Sequence, residues 1–312
     1  MTTLPDHPDH PDHPDHPDHP DHPGQSRPPR THEDAVLVGD GLHLKYESVV
    51  VAEDLHVQVP RGSLTMIIGP NGCGKSTLLK ALARMLKPDQ GTVLLDGSDI
   101  HGESTKAVAR RLGLLPQSPV APDGIAVADL VSRGRYPYQK LLRQWSRDDE
   151  LIVNEAMAAT GVSEFAQRGV DELSGGERQR VWLAMVLAQQ TGTLLLDEPT
   201  TYLDLAHQID VLELCRSVRE SRDMTIVVVM HELNLAVRYA DHLIVMRGGR
   251  VQAVGAPEHV VTEELIERTF GLPCRIIPDP ETGKPMIVPR LRSALRGAGV
   301  EAEVGAGLAG AS

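Results

Sequence analysis

A glycine-rich segment with a lysine, GPNGCGKST at 69–77, contains the residue types that bind phosphate. It fits the pattern G-x-x-x-x-G-K-[ST], with Gly69, Gly74, Lys75 and Ser76 at the fixed positions. In such a segment backbone N–H groups turn towards phosphate oxygens, the lysine supplies positive charge, and the serine hydroxyl suits Mg²⁺. We therefore predict a nucleotide site. Its contacts are expected from Gly69, Pro70, Asn71, Gly72, Cys73, Gly74, Lys75, Ser76 and Thr77.

The neighbouring elements must place this segment at the end of a strand and the start of a helix. Residues 63–70 form an apolar run that ends in Gly and Pro, which predicts a buried strand, and residues 76–86 carry leucines at helical spacing. A helix that starts there would point its positive end at the phosphates. A glycine turn with a chance lysine is the alternative, and the flanking strand and helix disfavour it.

An acidic pair follows a second apolar run, TLLLDEP at 193–199. Asp197 ends the predicted strand, where a carboxylate can hold Mg²⁺, and Glu198 beside it can polarise an attacking water; phosphoryl transfer needs both tasks. A pair that merely caps a helix is the alternative. The continuous apolar runs at 193–197 and 225–230 are typical of central parallel strands covered on both faces.

The phosphate loop, LSGGE at 173–177 and LLLDE at 194–198, in this order and spacing, resemble the nucleotide-binding subunit of an ATP-binding cassette (ABC) transporter. The resemblance covers about residues 35–275. It implies an α/β fold, a P-loop NTPase cassette with a RecA-like core, an antiparallel β subdomain and an α-helical subdomain at about 118–180. It also implies an ATPase that uses ATP with Mg²⁺, the latter held by Ser76, Asp197 and Gln117.

Further residues acquire roles through the same resemblance. Tyr46 would stack on adenine, Gln117 would reach Mg²⁺ and lie where the cassette meets its membrane partner, and His231 would hydrogen-bond the γ-phosphate. Asp204 would communicate across a dimer, and Glu198 would act as general base. Without the resemblance, Tyr46 is an ordinary strand tyrosine, Gln117 a loop residue and His231 a structural histidine.

The LSGGE segment predicts a second copy of the chain. Ser174, Gly175 and Gly176 offer a hydroxyl and N–H donors at a helix start, which resembles a second anion site far from the first in sequence. In the family two cassettes pair head to tail, and this segment of one closes over the ATP of the other. A homodimer is therefore expected. Glu177 occupies a position where glutamine is commonest in the family, and its contact is left open.

Three stretches at 131–139, 180–214 and 275–289 most resemble importers of ferric siderophores, with cobalamin and haem importers as close relatives. This implies a separate membrane permease, indirect action with an external substrate-binding protein, and a peripheral place on the cytoplasmic face of the membrane. These stretches would not touch the cargo, so they indicate the cargo only through likeness to a subfamily. A non-transport cassette ATPase is the rival; such proteins usually carry two cassettes or a long coiled coil.

Composition limits the partners. The chain has 312 residues, 41% hydrophobic, and a net charge of −12, which gives no basic footprint for nucleic acid. No apolar run reaches the roughly 18 to 20 residues that cross a bilayer, and the start has no secretory pattern, so we expect a cytoplasmic location. The three cysteines form no CxxC pair and are expected to be reduced.

The predicted organisation has three parts. Residues 1–31 contain six Asp-His-Pro triplets and are expected to be disordered, either as a spacer or as a metal-binding tail. Residues 32–275 form the ATPase domain, and 276–312 a C-terminal extension whose end is disordered. Within the domain, we expect antiparallel strands from residue 35 with turns at 39–41 and 60–62, and a Gly-Gly hairpin in 241–255.

A cluster of basic residues in the helical region is read as a solvated face or as a docking surface for permease loops. Its members are Arg133, Arg135, Lys140, Arg143 and Arg147.

Overall fold

The computed structural model describes residues 35–46, 49–139, 145–201 and 203–291. The Asp-His-Pro tail and the end of the chain lie outside these ranges, as do Lys140 and Arg143 of the basic cluster. Among the described residues, no helix has the length and apolar character needed to span a bilayer.

The described ranges contain both strands and helices. The strands are β1 (Ala35–Tyr46), β2 (Val49–Pro60), β3 (Leu64–Ile68), β4 (Gln90–Leu95), β5 (Ser98–Asp99), β6 (Leu112–Leu115), β7 (Thr193–Asp197), β8 (Thr225–Val229), β9 (His242–Arg247), β10 (Arg250–Gly255), β11 (Cys274–Pro278) and β12 (Pro285–Pro289). The helices are α1 (Lys75–Leu82), α2 (Thr105–Ala109), α3 (Val127–Ser132), α4 (Arg147–Ala159), α5 (Gly175–Ala188), α6 (Leu205–Arg222), α7 (Leu233–Tyr239), α8 (Pro257–Val260) and α9 (Glu263–Phe270).

The central sheet has the strand order β10-β9-β3-β8-β7-β6. All neighbours are parallel except β9 and β10, which form the expected Gly-Gly hairpin. Every residue of β3, β7 and β8 is buried, which confirms the prediction of central strands covered on both faces. The carboxyl ends of these three strands lie side by side, and the phosphate loop and the acidic pair follow there.

Alternate residues of the sheet feed two separate cores. Met66 and Ile68 of β3 pack in a core with the helical region and α6. Ile67 between them packs on the opposite face with α1 and the antiparallel strands. The sheet is therefore packed on both faces by apolar side chains, which fixes the position of the loops at its edge.

A second sheet, ordered β2-β1-β4-β5, is antiparallel. The turn expected at 39–41 is wrong: β1 runs through these residues as a single strand, with a shift of register between Gly39 and Leu42. Gly41 has φ 59°, a conformation that glycine adopts without cost. The glycines accommodate a bulge and not a chain reversal. The turn expected at 60–62 is present.

The helical region packs α3, α4 and α5 together, with a short 3₁₀ segment at Arg133–Tyr138. The prediction that Arg135 belongs to a solvated or docking surface is wrong. Its guanidinium is buried, forms an ion pair with Asp149 at 2.8 Å and donates to the carbonyl of Ala188 at 2.8 Å. A buried charge requires such partners, and Arg135 ties the 3₁₀ segment to α4 and α5.

The hairpin of β11 and β12 packs on α7. The side-chain amide of Asn234 donates to the carbonyl of Ile287 at 3.0 Å and accepts from its N–H at 2.8 Å. Strand β11 runs across the boundary expected between 275 and 276. Cys73, Cys215 and Cys274 are buried and unpaired, in agreement with the expected reduced thiols.

Candidate functional site

The phosphate loop joins the buried strand β3 to α1 as expected. Gly74 caps α1 with φ 101°, and Gly72 has φ 76°, both in the region that favours glycine. Gly69 lies against the neighbouring strand, because a Cβ built there would meet the Met246 carbonyl oxygen at 2.3 Å. Each glycine thus meets a backbone requirement, and the loop turns sharply from the sheet into the helix.

Two residues of the loop point inwards. The Lys75 side chain is buried, and its ammonium group donates to the carbonyls of Gly69 at 2.9 Å and Pro70 at 3.2 Å. The thiol of Cys73 is buried, and the backbone N–H of Cys73 donates to the Pro70 carbonyl at 3.3 Å. Burial raises the pKa of the Cys73 thiol. The Cys73 side chain packs within the loop and does not line the cleft described below, and its place among the nucleotide contacts stays a prediction.

The part-buried Ser76 and the buried Asp197 form a hydrogen-bonded pair beside the loop. The Ser76 hydroxyl donates to a carboxylate oxygen of Asp197 at 2.9 Å, although 121 residues separate them in the chain. Asp197 is 3% exposed, and this burial raises its pKa, with the neighbouring charge of Glu198 acting in the same direction. A hydroxyl and a carboxylate are the hard oxygen ligands that Mg²⁺ prefers, so these residues fit such an ion.

Glu198 collects three polar partners. Its carboxylate accepts from the Gln117 amide at 2.5 Å, from the Thr201 hydroxyl at 3.2 Å, and contacts the Nε2 atom of His231. Its backbone has φ 52°, a left-handed conformation that costs a non-glycine residue about 1 to 3 kcal/mol. The sharp turn after β7 directs this side chain away from Asp197 and towards the ends of β6 and β8. Gln117, Glu198 and His231 are thus brought together, as expected.

One open cleft of about 1130 Å³ is lined by Lys75, Ser76, Gln117, Glu198 and His231. Tyr46 lines it and is 54% exposed, and the Lys80 ammonium lies 5.7 Å from the centroid of its ring. Phe270 and Leu272 line the same cleft and were missed by the sequence argument. Phe270 ends α9 and Leu272 follows it, more than 200 residues after Tyr46, and no local pattern links them to a nucleotide site.

The LSGGE segment lies outside this cleft. Ser174 caps α5, and its hydroxyl accepts from the N–H of Glu177 at 3.4 Å. The Glu177 carboxylate in turn accepts from the Ser174 N–H at 2.8 Å and hydroxyl at 2.7 Å. These hydrogen bonds from Ser174 lower the pKa of Glu177. The contact left open by the sequence is therefore a capping box.

Asp204 also lies away from the cleft. It caps α6 and accepts from the N–H of His207 at 3.0 Å, and a hydrogen bond of 2.7 Å joins it to the Nδ1 atom of the same residue. The pKa of Asp204 is lowered, chiefly by the bond from this backbone N–H. His207 is a second residue that the sequence argument missed.

A strand, phosphate loop and helix beside a hydrogen-bonded Ser–Asp pair and a glutamate with three polar partners define a P-loop nucleoside triphosphatase. The family model described as ABC transporter matches residues 52–201. The chain is 54% identical over 248 residues to the achromobactin transport ATP-binding protein of Dickeya dadantii, which covers 80% of this chain and 92% of that protein. It is 53% identical over 264 residues to the ferric enterobactin transport ATP-binding protein of Escherichia coli, covering 85% and 97% respectively.

Solved structures agree with the sequence relatives. A metal-chelate type ABC transporter in an inward-facing conformation superposes with a TM-score of 0.72 at 27% identity, over 84% of this chain and 99% of that chain. Clostridium perfringens cbiO1, part of the transporter complex cbiONQ, gives a TM-score of 0.66 at 28% identity, over 76% and 94%. The chain belongs to the ABC transporter family, as an ATP-binding protein and an ATPase.

Proposed function

We propose that this chain is the ATP-hydrolysing subunit of an importer of ferric siderophores, which works as a dimer with a separate membrane permease. The relatives at 50–54% identity, named for achromobactin, ferric enterobactin, petrobactin and siderophore transport, support the cargo class. The observation that carries the hydrolytic part is the position of the Glu198 carboxylate beside Gln117 and His231 in the cleft of the phosphate loop.

ATP is proposed to lie with its adenine on Tyr46 and its phosphates on the loop, where Lys75 provides charge. Ser76, Asp197 and Gln117 would hold Mg²⁺, which neutralises charge on the phosphates when bound. Glu198 accepts a proton from the attacking water, and His231 places its Nε2 atom near the γ-phosphate.

The location of the LSGGE segment supports a dimer. Ser174 and Gly175 are exposed and do not line the cleft of their own chain, so a nucleotide in that cleft cannot meet them. A second cassette in head-to-tail orientation would bring them to the nucleotide. Closure of such a dimer by ATP would drive the permease, and hydrolysis would reopen it. The permease, its external binding protein and a peripheral position on the inner face of the membrane complete this proposal.

Cobalamin is the second candidate cargo, because the chain is also 42% identical over 249 residues to a cobalamin import ATP-binding protein of Halobacterium salinarum. The chain spans 62% of that protein. The same ATPase site would serve both cargoes, since in this proposal the cargo passes through the separate permease.

Uptake of radiolabelled ferric siderophores and cobalamin by cells that lack this gene tests the proposal. We expect complementation by the wild type to restore ferric siderophore uptake and Lys75→Ala to leave it at the level of the deleted strain. Equal expression of both proteins, measured in the membrane fraction, is the control. Restoration of cobalamin uptake alone would overturn the siderophore proposal, and restoration by Lys75→Ala would overturn the role of ATP.

A further inference from the structure

The first turns of two helices meet beside the proposed dimer surface. Helix α5 starts after Ser174 and helix α6 after Asp204. The imidazole of His207 lies between them. A Cβ built on Gly176 would lie 2.6 Å from the Cδ2 atom of His207 and 3.1 Å from its Nε2 atom, so the ring fills the space that a side chain at 176 would need.

The opposite side of this ring is fixed by Asp204. The Nδ1 atom lies 2.7 Å from the Asp204 carboxylate, which also accepts the backbone N–H of His207 at 3.0 Å. The ring therefore has a hydrogen bond on one edge and a steric contact on the other. Gly176 is buried, whereas the His207 side chain is 43% exposed. This arrangement fixes the distance between the two segments without closing off either of them.

The charges where the two helices start favour a contact that holds them together. Each helix start carries a partial positive charge from its unpaired N–H groups, so two adjacent starts repel each other. Glu177 caps one start and Asp204 the other, and the pKa of each carboxyl is lowered by hydrogen bonds from its own helix turn. The carboxylates offset the repulsion, but each is bonded within its own helix turn. His207 is hydrogen-bonded to Asp204 at the start of α6 and packs against Gly176 at the start of α5.

We propose that His207 is a positioning residue that sets the place of the Ser174–Gly176 turn relative to Asp204, and thereby the surface that one cassette offers to the nucleotide of the other. The inference rests on the proposed dimeric ATPase. His207 does not line the cleft of its own chain. Its loss should therefore weaken ATP-dependent pairing and leave the binding of ATP to a single cassette unchanged.

A double-mutant cycle on the full chain tests this. Gly176→Ala places a methyl group against the ring and should raise the cassette concentration at half-maximal ATPase rate about tenfold, the effect of modest overpacking. His207→Asn keeps an amide donor near the Nδ1 position, removes the rest of the ring, and should raise the same concentration about threefold. In the double variant the methyl enters the vacated space, so the effect should be no larger than that of His207→Asn alone.

Three controls make the cycle specific. Arg216→Ala on the exposed face of α6 should behave as the wild type, and His207→Ala provides a second ring deletion if His207→Asn is unstable. Binding of ATP by equilibrium dialysis, at cassette concentrations far below the half-maximal value, should be the same for all variants.

The outcomes separate the two proposals. A double variant whose effect equals the product of the single effects, or ring deletions that behave as the wild type, would overturn the role of His207 while the dimer stands. A wild-type rate per cassette that does not depend on cassette concentration would overturn the proposed dimer itself, and the role of His207 with it.

Discussion

Replacement of Arg135 by methionine should destabilise the helical region, because it leaves a carboxylate without its main partner. Arg135 and Asp149 are 6% and 13% exposed at their side chains, and Arg135 also donates to the Ala188 carbonyl. Breaking a buried pair from one side costs about 3 to 5 kcal/mol. Asp149 keeps the hydrogen bonds from the N–H and hydroxyl of Ser146 at 3.1 and 2.7 Å, so we expect the lower end, about 3 kcal/mol.

Thermal unfolding followed by circular dichroism measures this loss. A cost of about 3 kcal/mol corresponds to a fall in the unfolding midpoint of about 5 °C for a chain of this size. Arg147→Met, on the exposed start of α4, is the matched control and should change the midpoint little. Arg135→Met combined with Asp149→Asn should recover about half of the loss, because no unpaired charge then remains. Equal midpoints for Arg135→Met and Arg147→Met would refute the reasoning.

The difference in unfolding midpoint between the wild type and Arg135→Met should depend on pH. Burial alone would raise the pKa of Asp149, but the bonds from Arg135 and Ser146 outweigh it and hold the pKa below its ordinary value. A carboxyl with a lowered pKa in the folded state stabilises above its unfolded value of about 3.9 and loses that contribution as the pH falls through the folded value. The gap in midpoint between wild type and Arg135→Met should therefore narrow below about pH 4.

Three other predictions follow from the site and the hairpin. Gly69→Ala should abolish nucleotide binding in equilibrium dialysis, since its methyl would meet the Met246 carbonyl oxygen at 2.3 Å; unchanged binding would show that the loop can move. Ser76→Ala should raise the Mg²⁺ concentration needed for half-maximal ATPase activity about tenfold or more, and an unaltered requirement would remove Ser76 from the metal site. Asn234→Ala should lower the free energy of local opening by about 2 kcal/mol, because two hydrogen bonds are lost, and the Ile287 amide hydrogen should exchange about 30-fold faster. Unchanged exchange would show that the hydrogen bonds of Asn234 do not hold the hairpin on α7.

The parts of the site that the sequence predicts are those that depend on short-range order. The phosphate loop needs glycines at fixed spacing between a strand and a helix, and all of these signals lie within about 25 residues at 63–86. Asp197 and Glu198 are adjacent residues that follow a recognisable apolar strand. Burial on both faces of β7 and β8 follows from continuous apolar runs. These features required no knowledge of how distant segments meet.

The features that the sequence does not predict depend on distant contacts. Gly39–Gly41 has the composition of a turn, and only the pairing of β1 with β2 and β4 makes it a bulge. Arg135 has the composition of a surface residue, and its burial follows from the position of Asp149. Phe270 and Leu272 reach the cleft from the far end of the domain, and His207 meets Gly176 across two helices.

The most direct test of the account is the steady-state ATPase rate of Glu198→Gln, measured beside the wild type and the exposed-surface control Glu258→Gln. Glutamine keeps the shape of the side chain but cannot accept the proton of the attacking water. We expect turnover to fall by about 10² to 10⁴, with ATP still bound and the closed dimer retained on gel filtration. A rate equal to that of the wild type would contradict the assignment of Glu198 as the general base.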